Sequence, residues 1–95
     1  MYFTVFGKEN CPYCVRAKEL LQSKMAEFTY KDVLEDEVFF MQMNAWVKDA
    51  TGRPASTVPQ IFLDDRYIGG YTDLAAHFES EKEIVKPDDL DIGEL

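Results

Sequence analysis

The chain has 95 residues, 46% apolar and 29% charged, with a net charge of −8. These values fit one compact domain, and the apolar fraction is too high for a disordered chain. The acidic charge argues against binding to nucleic acid or to an anionic membrane, since both need a basic surface.

The first half of the chain predicts alternating strands and helices. Residues 2–6 form a β-branched and aromatic run, which predicts a buried strand, and this apolar start is too short for a signal sequence or a membrane span. A helix is predicted from Pro12 to about Lys24, and a second strand over residues 28–33. Residues 35–50 predict a second helix, because one face carries apolar side chains at helical spacing. That face consists of Phe39, Met43, Trp46, Val47 and Ala50.

The second half predicts a hairpin followed by a third helix. Residues 59–63 and 67–68 are the expected strands, joined by an aspartate turn. Thr72 is the predicted N-cap of a helix that runs to Ile84. The resulting order, β-α-β-α-β-β-α, predicts an α/β thioredoxin fold with a four-stranded mixed sheet flanked by helices.

One domain is expected over residues 1–85. Residues 86–95 are acidic, contain a proline and a glycine, and predict a loosely packed C-terminal tail. Two cysteines are too few for a secreted disulfide scaffold, so a cytoplasmic location is expected.

The two cysteines form the motif Cys11-Pro12-Tyr13-Cys14, placed between the first strand and the first helix. This spacing lets two sulfurs meet and is typical of a thioredoxin-like redox site. At a helix N-terminus, unpaired N–H groups and the helix dipole stabilise a thiolate and lower cysteine pKa values from about 8.5. We expect Cys11 to be the attacking thiolate and the more buried Cys14 to be the resolving thiol.

Two other uses of the cysteines are weaker. Half of a zinc site would need further ligands, but the chain has no second cysteine pair, and its one histidine, His77, lies in the third predicted helix. Inert apolar packing does not explain cysteines placed beside a proline at a strand end. The motif therefore favours a redox function.

Three segments together resemble the signature segments of glutaredoxins of the dithiol type, as in enteric bacteria. They are Cys11–Cys14, residues 57–62 (TVPQIF) and residues 68–74 (IGGYTDL). The resemblance runs from about residue 2 to residue 78 and implies a thioredoxin fold with a cis peptide bond before Pro59. It also implies a glutathione-dependent oxidoreductase that reduces protein disulfides and protein–glutathione mixed disulfides.

The resemblance implies a groove for glutathione, which acts as a co-substrate with no permanently bound cofactor. Val58 is expected to pair with the cysteinyl part through its backbone, as an added strand would. The N–H groups of Thr72 and Asp73 suit the γ-glutamyl carboxylate, the Asp73 side chain suits the ammonium group, and Lys8 suits the glycine carboxylate. Alone, Thr72 and Asp73 could serve only as helix caps. The complete set of expected contacts is Lys8, Tyr13, Thr57, Val58, Pro59, Gly70, Tyr71, Thr72 and Asp73.

The expected partners are glutathione and proteins that carry disulfides or glutathionylated cysteines. By resemblance, ribonucleotide reductase is one protein client, and the protein itself is expected to be a monomer. One alternative is a thioredoxin-like reductase recycled by a flavoprotein. Another is a carrier in which Cys11 and bound glutathione hold an iron–sulfur cluster between two subunits. The resemblance disfavours the cluster, because family members that bind one usually carry a smaller residue at the position of Pro12. A non-catalytic binding module is a third alternative.

The predicted second helix departs from the resemblance. Residues 38–50 are longer and more apolar than the matching region of glutaredoxins. Phe40 and Met41 do not fit its apolar stripe, and we interpret them as a candidate docking patch for a partner.

Overall fold

The computed structural model of the chain describes residues 2–85, and the predicted tail over residues 86–95 lies outside this range. Four strands and three helices follow one another in the predicted order. They are β1 (Tyr2–Gly7), α1 (Pro12–Ser23), β2 (Glu27–Asp32), α2 (Glu37–Thr51), β3 (Gln60–Leu63), β4 (Arg66–Gly69) and α3 (Tyr71–Val85). None of the helices within residues 2–85 is long and apolar enough to cross a membrane.

The four strands form one mixed sheet in the order β2-β1-β3-β4. β1 pairs with β2 in parallel and with β3 antiparallel, and β4 completes the sheet antiparallel to β3. β1 and β3 are therefore the central strands, and their residues are buried except for Tyr2. The arrangement confirms the predicted thioredoxin fold.

Each face of the sheet carries its own apolar core, because successive side chains of a strand point to opposite faces. One core joins β1 and β3 to α1 and α3, and the other joins the same strands to α2. The first contains Phe3, Val5, Ala17, Leu21, Ile61, Leu63 and Leu74. The second contains Phe6, Val33, Met43, Val47 and Phe62, with Phe39 and Trp46 packed against it.

Two sequence-based predictions fail at the ends of helices. Ala50 is exposed, since the last turn of α2 borders an open cavity beside Asp64 and Asp65. Thr72 is not the N-cap of α3, because the helix already begins at Tyr71. Gly70 precedes the first turn, and its N–H group donates a hydrogen bond to the carboxylate of Asp73. This is one of the two hydrogen bonds of a capping box.

Candidate active site

The dithiol motif lies directly after the central strand β1. Asn10 takes a left-handed conformation, with φ of 58°, which asparagine tolerates better than most residues. Cys11 follows in an extended conformation as the N-cap of α1, and Pro12 occupies the first helical turn, where no N–H group is needed. The buried strand and the helix cap together fix the position of Cys11.

Cys11 and Cys14 are joined by a disulfide, with their Cα atoms 5.2 Å apart. The N–H group of Cys14 also donates a hydrogen bond to the Sγ atom of Cys11 at 3.1 Å. Cys14 is fully buried, whereas Cys11 is 7% exposed. A sulfur from outside can therefore approach Cys11 more readily than Cys14, which is the expected order of accessibility.

Gly7, at the end of β1, lies close to the buried Cys14 sulfur. A Cβ atom added there would lie 2.9 Å from the Sγ atom of Cys14 and would also collide with the hydroxyl of Tyr30. That hydroxyl donates to the backbone carbonyl of Lys8 at 3.0 Å and so ties the loop before Cys11 to β2. Burial raises the pKa of Tyr30, and the nearby carboxylate of Asp32 raises it further.

The loop that faces the cysteines contains a cis peptide bond between Val58 and Pro59, as the family resemblance implied. The buried side chain of Gln60 donates to the carbonyl of Thr57 at 2.9 Å and accepts from the hydroxyl of Tyr67 at 2.6 Å. These bonds hold the loop from behind. Sequence reasoning missed Gln60 and Tyr67, although a glutamine within a buried apolar strand was an available signal.

A cavity of about 520 Å³ opens beside Cys11. This volume lies within the range of roughly 300–1,000 Å³ that is usual for small-molecule sites. Lys8, Thr57 and Val58 line it together with Cys11, so the structure brings these four predicted residues together. Apolar side chains from the segment before α2 and from α2 also line it, namely Val33, Leu34, Phe40 and Met43.

The other predicted contacts lie at the start of α3. Asp73 accepts the N–H group of Gly70 at 3.0 Å through Oδ2, which leaves the rest of its exposed carboxylate open to a ligand. Gly69 has a φ of 120°, and a Cβ atom there would lie 2.8 Å from the Cγ atom of Asp73. Glycine is therefore required at position 69. Thr72 is exposed beside Asp73.

One contact connects this helix start to the dithiol motif, and a second connects it to the loop at Pro59. The rings of Tyr13 and Tyr71 stack, with their centroids 6.1 Å apart. The backbone of Gly70 passes close to Pro59, since a Cβ atom on Gly70 would lie 3.6 Å from the Pro59 carbonyl oxygen. The predicted site residues thus form two groups, one that lines the cavity together with Cys11 and one at the start of α3.

Metal binding has no obvious location in the described part of the chain. No group of three or more histidine, cysteine, aspartate or glutamate side chains there could hold a metal ion. His77 lies on α3 and packs edge-on against the rings of Phe3 in β1 and Phe78 in α3.

The fold and the paired cysteines define a thioredoxin-fold thiol–disulfide oxidoreductase. The family model for glutaredoxin matches residues 3–68. Glutaredoxin 1 of Escherichia coli (strain K12) is 40% identical over 81 residues, which cover 80% of this chain and 91% of that protein. The chain therefore belongs to the glutaredoxin family, whose members are glutathione-dependent thiol–disulfide oxidoreductases.

Solved structures agree with this assignment. Reduced Escherichia coli glutaredoxin matches with a TM-score of 0.67 and 38% identity, covering 87% of this chain and 99% of that one. A buckwheat glutaredoxin–glutathione complex matches with a TM-score of 0.69 and 26% identity, covering 86% of this chain and 72% of that one.

Ionisation of the Tyr67 hydroxyl lowers the free energy of unfolding of the oxidised protein at alkaline pH. Burial, followed by the nearby Asp73 carboxylate, raises the pKa of Tyr67 above its ordinary value of 10.0. The unfolded chain therefore loses this proton first. The contribution to stability is complete below about pH 10 and is lost as pH rises through the folded-state pKa.

Tyr67→Phe should make the free energy of unfolding of the oxidised protein fall less steeply above about pH 10, as measured by urea denaturation. At neutral pH the variant should lose about 1 kcal/mol, because Gln60 loses a hydrogen-bond donor. Adding Tyr30→Phe should flatten the alkaline profile further. Superimposable profiles for Tyr67→Phe and the natural protein would contradict this assignment.

Proposed function

We propose that Cys11 is the nucleophile and Cys14 the resolving thiol of a glutathione-coupled reaction at this site. The observation that carries the proposal is that the Cys11 sulfur accepts the Cys14 N–H group at the start of α1 and also borders the cavity. A thiolate at a helix N-terminus is stabilised by such N–H groups and by the helix dipole. Cys14, buried one turn along, can reach any disulfide formed on Cys11.

In the route for glutathionylated proteins, the Cys11 thiolate attacks the glutathione sulfur of the mixed disulfide. A bond forms between Cys11 and glutathione, the old disulfide bond breaks, and the protein leaves as a thiolate that takes up a proton. A second glutathione thiolate then attacks the glutathione sulfur on Cys11. Oxidised glutathione leaves and the Cys11 thiolate is restored.

In the route for protein disulfides, Cys11 attacks one client sulfur and the other leaves as a thiolate. Cys14 then attacks the Cys11 sulfur, which releases the reduced client and forms the Cys11–Cys14 disulfide. Two glutathione molecules reduce that disulfide and leave as oxidised glutathione. Such an oxidised state is compatible with the observed Cα separation of 5.2 Å between the two cysteines.

For glutathione itself, we infer that the tripeptide lies across Cys11 and contacts both groups of residues. Lys8 in the cavity has the charge to bind the glycine carboxylate, and Val58 offers backbone groups to the cysteinyl part. At the start of α3, the backbone of Thr72 suits the γ-glutamyl carboxylate and Asp73 suits the ammonium group. The remaining contacts in this inference are Tyr13, Thr57, Pro59, Gly70 and Tyr71.

The buckwheat relative was solved as a complex with glutathione, which supports glutathione as the partner. A ribonucleotide reductase client, the monomeric state, the cytoplasmic location and the division into residues 1–85 and 86–95 remain predictions from the sequence.

The roles of the two cysteines predict different losses on substitution. Cys14→Ser should reduce a glutathione–hydroxyethyl mixed disulfide within about threefold of the natural rate, because glutathione can free Cys11. It should lose the reduction of protein disulfides. Cys11→Ser should lose both activities. Turnover is measured as NADPH consumption coupled through glutathione and glutathione reductase.

Circular dichroism should show that both variants are folded. An active Cys11→Ser variant would mean that another group is the nucleophile. No turnover by the natural protein in this assay would refute the glutathione coupling.

The proposed contact between Asp73 and the ammonium group predicts that substitution of Asp73 weakens substrate binding and leaves the rate of the chemical step nearly unchanged. Asp73→Asn keeps an oxygen for the Gly70 N–H group but removes the charge that attracts the ammonium group. Because Asp73 is exposed, we expect KM for the glutathione mixed disulfide to rise about two- to fivefold with little change in kcat. Asp65→Asn, an exposed aspartate in the β3–β4 turn, should leave KM unchanged. Equal KM values for the two variants would argue against the contact.

A further inference from the structure

Two bulky apolar side chains are left exposed at the edge of the Cys11 cavity. Leu34, just before α2, is 74% exposed, and Phe40, in its second turn, is 45% exposed. Both line the same cavity as the Cys11 sulfur. A single exposed apolar residue needs no explanation, but two of them that border a reactive sulfur form an apolar surface at the point where a client must dock.

Helix geometry separates Phe40 from its exposed neighbour Met41. Met41 is 62% exposed but lies about 100° further around α2, and the described wall of the cavity contains Phe40 and not Met41. Of the docking patch that the sequence suggested, Phe40 is therefore kept, Met41 is left out and Leu34 is added. Leu34 and Phe40, termed the apolar rim below, are the exposed pair that faces the site.

Acidic residues adjoin the apolar rim. Glu35, Asp36 and Glu37 directly follow Leu34 and are exposed. The chain as a whole has a net charge of −8. A segment that crosses the rim and continues along the start of α2 meets carboxylates, which favour lysine or arginine in that segment and repel acidic residues.

We propose that the apolar rim and the adjoining carboxylates select protein clients that carry a bulky apolar residue close to the oxidised cysteine and a basic residue just beyond it. This inference rests on the proposed function, because the client's disulfide must come to Cys11. The occupant is a polypeptide client in an extended conformation, and its docking surface is continuous with the redox site.

The distances permit this arrangement. A client cysteine is held next to Cys11 when its disulfide is attacked, whether Cys11 attacks the client sulfur itself or the glutathione sulfur bonded to it. An extended chain advances about 3.3 Å per residue. A residue two positions from that cysteine therefore lies roughly 7 Å away, which is within the span of a cavity lined by both Cys11 and the apolar rim. Glutathione alone carries no apolar side chain of this kind, so the rim acts on the protein part of a substrate.

Three glutathionylated heptapeptides with a central cysteine provide the test. The first has leucine two positions to either side of the cysteine and lysine at both ends. The second replaces each leucine by serine, and the third replaces each lysine by glutamate. The natural protein should deglutathionylate the first peptide with a kcat/KM about five- to tenfold above the second, because partial burial of one leucine accounts for that ratio.

Substitution of the rim should remove this preference. The double variant Leu34→Gln, Phe40→Gln should treat the leucine and serine peptides alike within about twofold. Met41→Gln, a matched exposed apolar residue on the same helix, should keep the natural preference. Circular dichroism should show that both variants keep the natural fold. The ratio of the two peptide rates within each variant cancels any change in the reactivity of Cys11 itself.

The carboxylates that adjoin the apolar rim predict that the charge of the peptide changes its reaction rate and that salt weakens this effect. The peptide with glutamate ends should react about threefold more slowly than the peptide with lysine ends, and the difference should shrink as ionic strength rises. Glu35→Gln, Glu37→Gln should reduce the same difference. An unchanged difference at high salt would overturn the charge part of the proposal.

Equal kcat/KM values for the leucine and serine peptides in the natural protein would overturn the proposal. So would an equal loss of preference in Met41→Gln and the rim variant. If the natural protein fails to turn over the small mixed disulfide, the proposed function itself is wrong and this inference falls with it. Normal turnover of the small substrate without peptide selection would refute the docking rim alone.

Discussion

The reactive centre of this protein depends on the point at which helix α1 begins. Because β1 is a central strand buried on both faces, its end is fixed, and the chain has only a short loop before Cys11. Cys11 then caps the helix with its sulfur, which accepts the Cys14 N–H group at 3.1 Å. Pro12 has no N–H group to compete for that sulfur. The same backbone geometry thus offers hydrogen-bond stabilisation to a Cys11 thiolate and keeps Cys14 within bonding reach.

The opposite wall of the site is held by a different set of contacts. Behind the cis peptide before Pro59, the buried Gln60 links the Thr57 carbonyl to the Tyr67 hydroxyl. From α2, the side chain of Asn44 accepts the N–H group of a residue in the same loop at 3.1 Å. This network favours one geometry of the loop, since the buried side chain of Gln60 is costly to leave unpaired. The cavity is therefore bordered by the start of α1 and by this supported loop. Helix α2 contributes to the support of the loop and, through Phe40, to the apolar rim.

Local patterns in the sequence were sufficient to predict the order of the strands and helices and the position of the dithiol at the start of a helix. The contacts that support the site were not predictable in this way. Tyr67 meets Gln60 only because β4 folds back on β3, and the Tyr30 hydroxyl meets the Lys8 carbonyl only because β1 and β2 are parallel neighbours. Ala50 fits the apolar period of α2 but lies beyond the edge of the core, which periodicity alone does not reveal. Sequence patterns report local geometry, whereas these features depend on long-range packing.

The central claim is that the start of α1 makes the Cys11 sulfur the reactive thiolate and leaves the Cys14 sulfur protected. The most direct measurement is alkylation of the fully reduced protein with a limiting amount of iodoacetamide at about neutral pH, followed by mass spectrometry of the peptides. Model thiols are mostly protonated at this pH and react slowly. The account predicts rapid labelling confined to Cys11. Labelling that favours Cys14, or slow labelling of both cysteines, would contradict it.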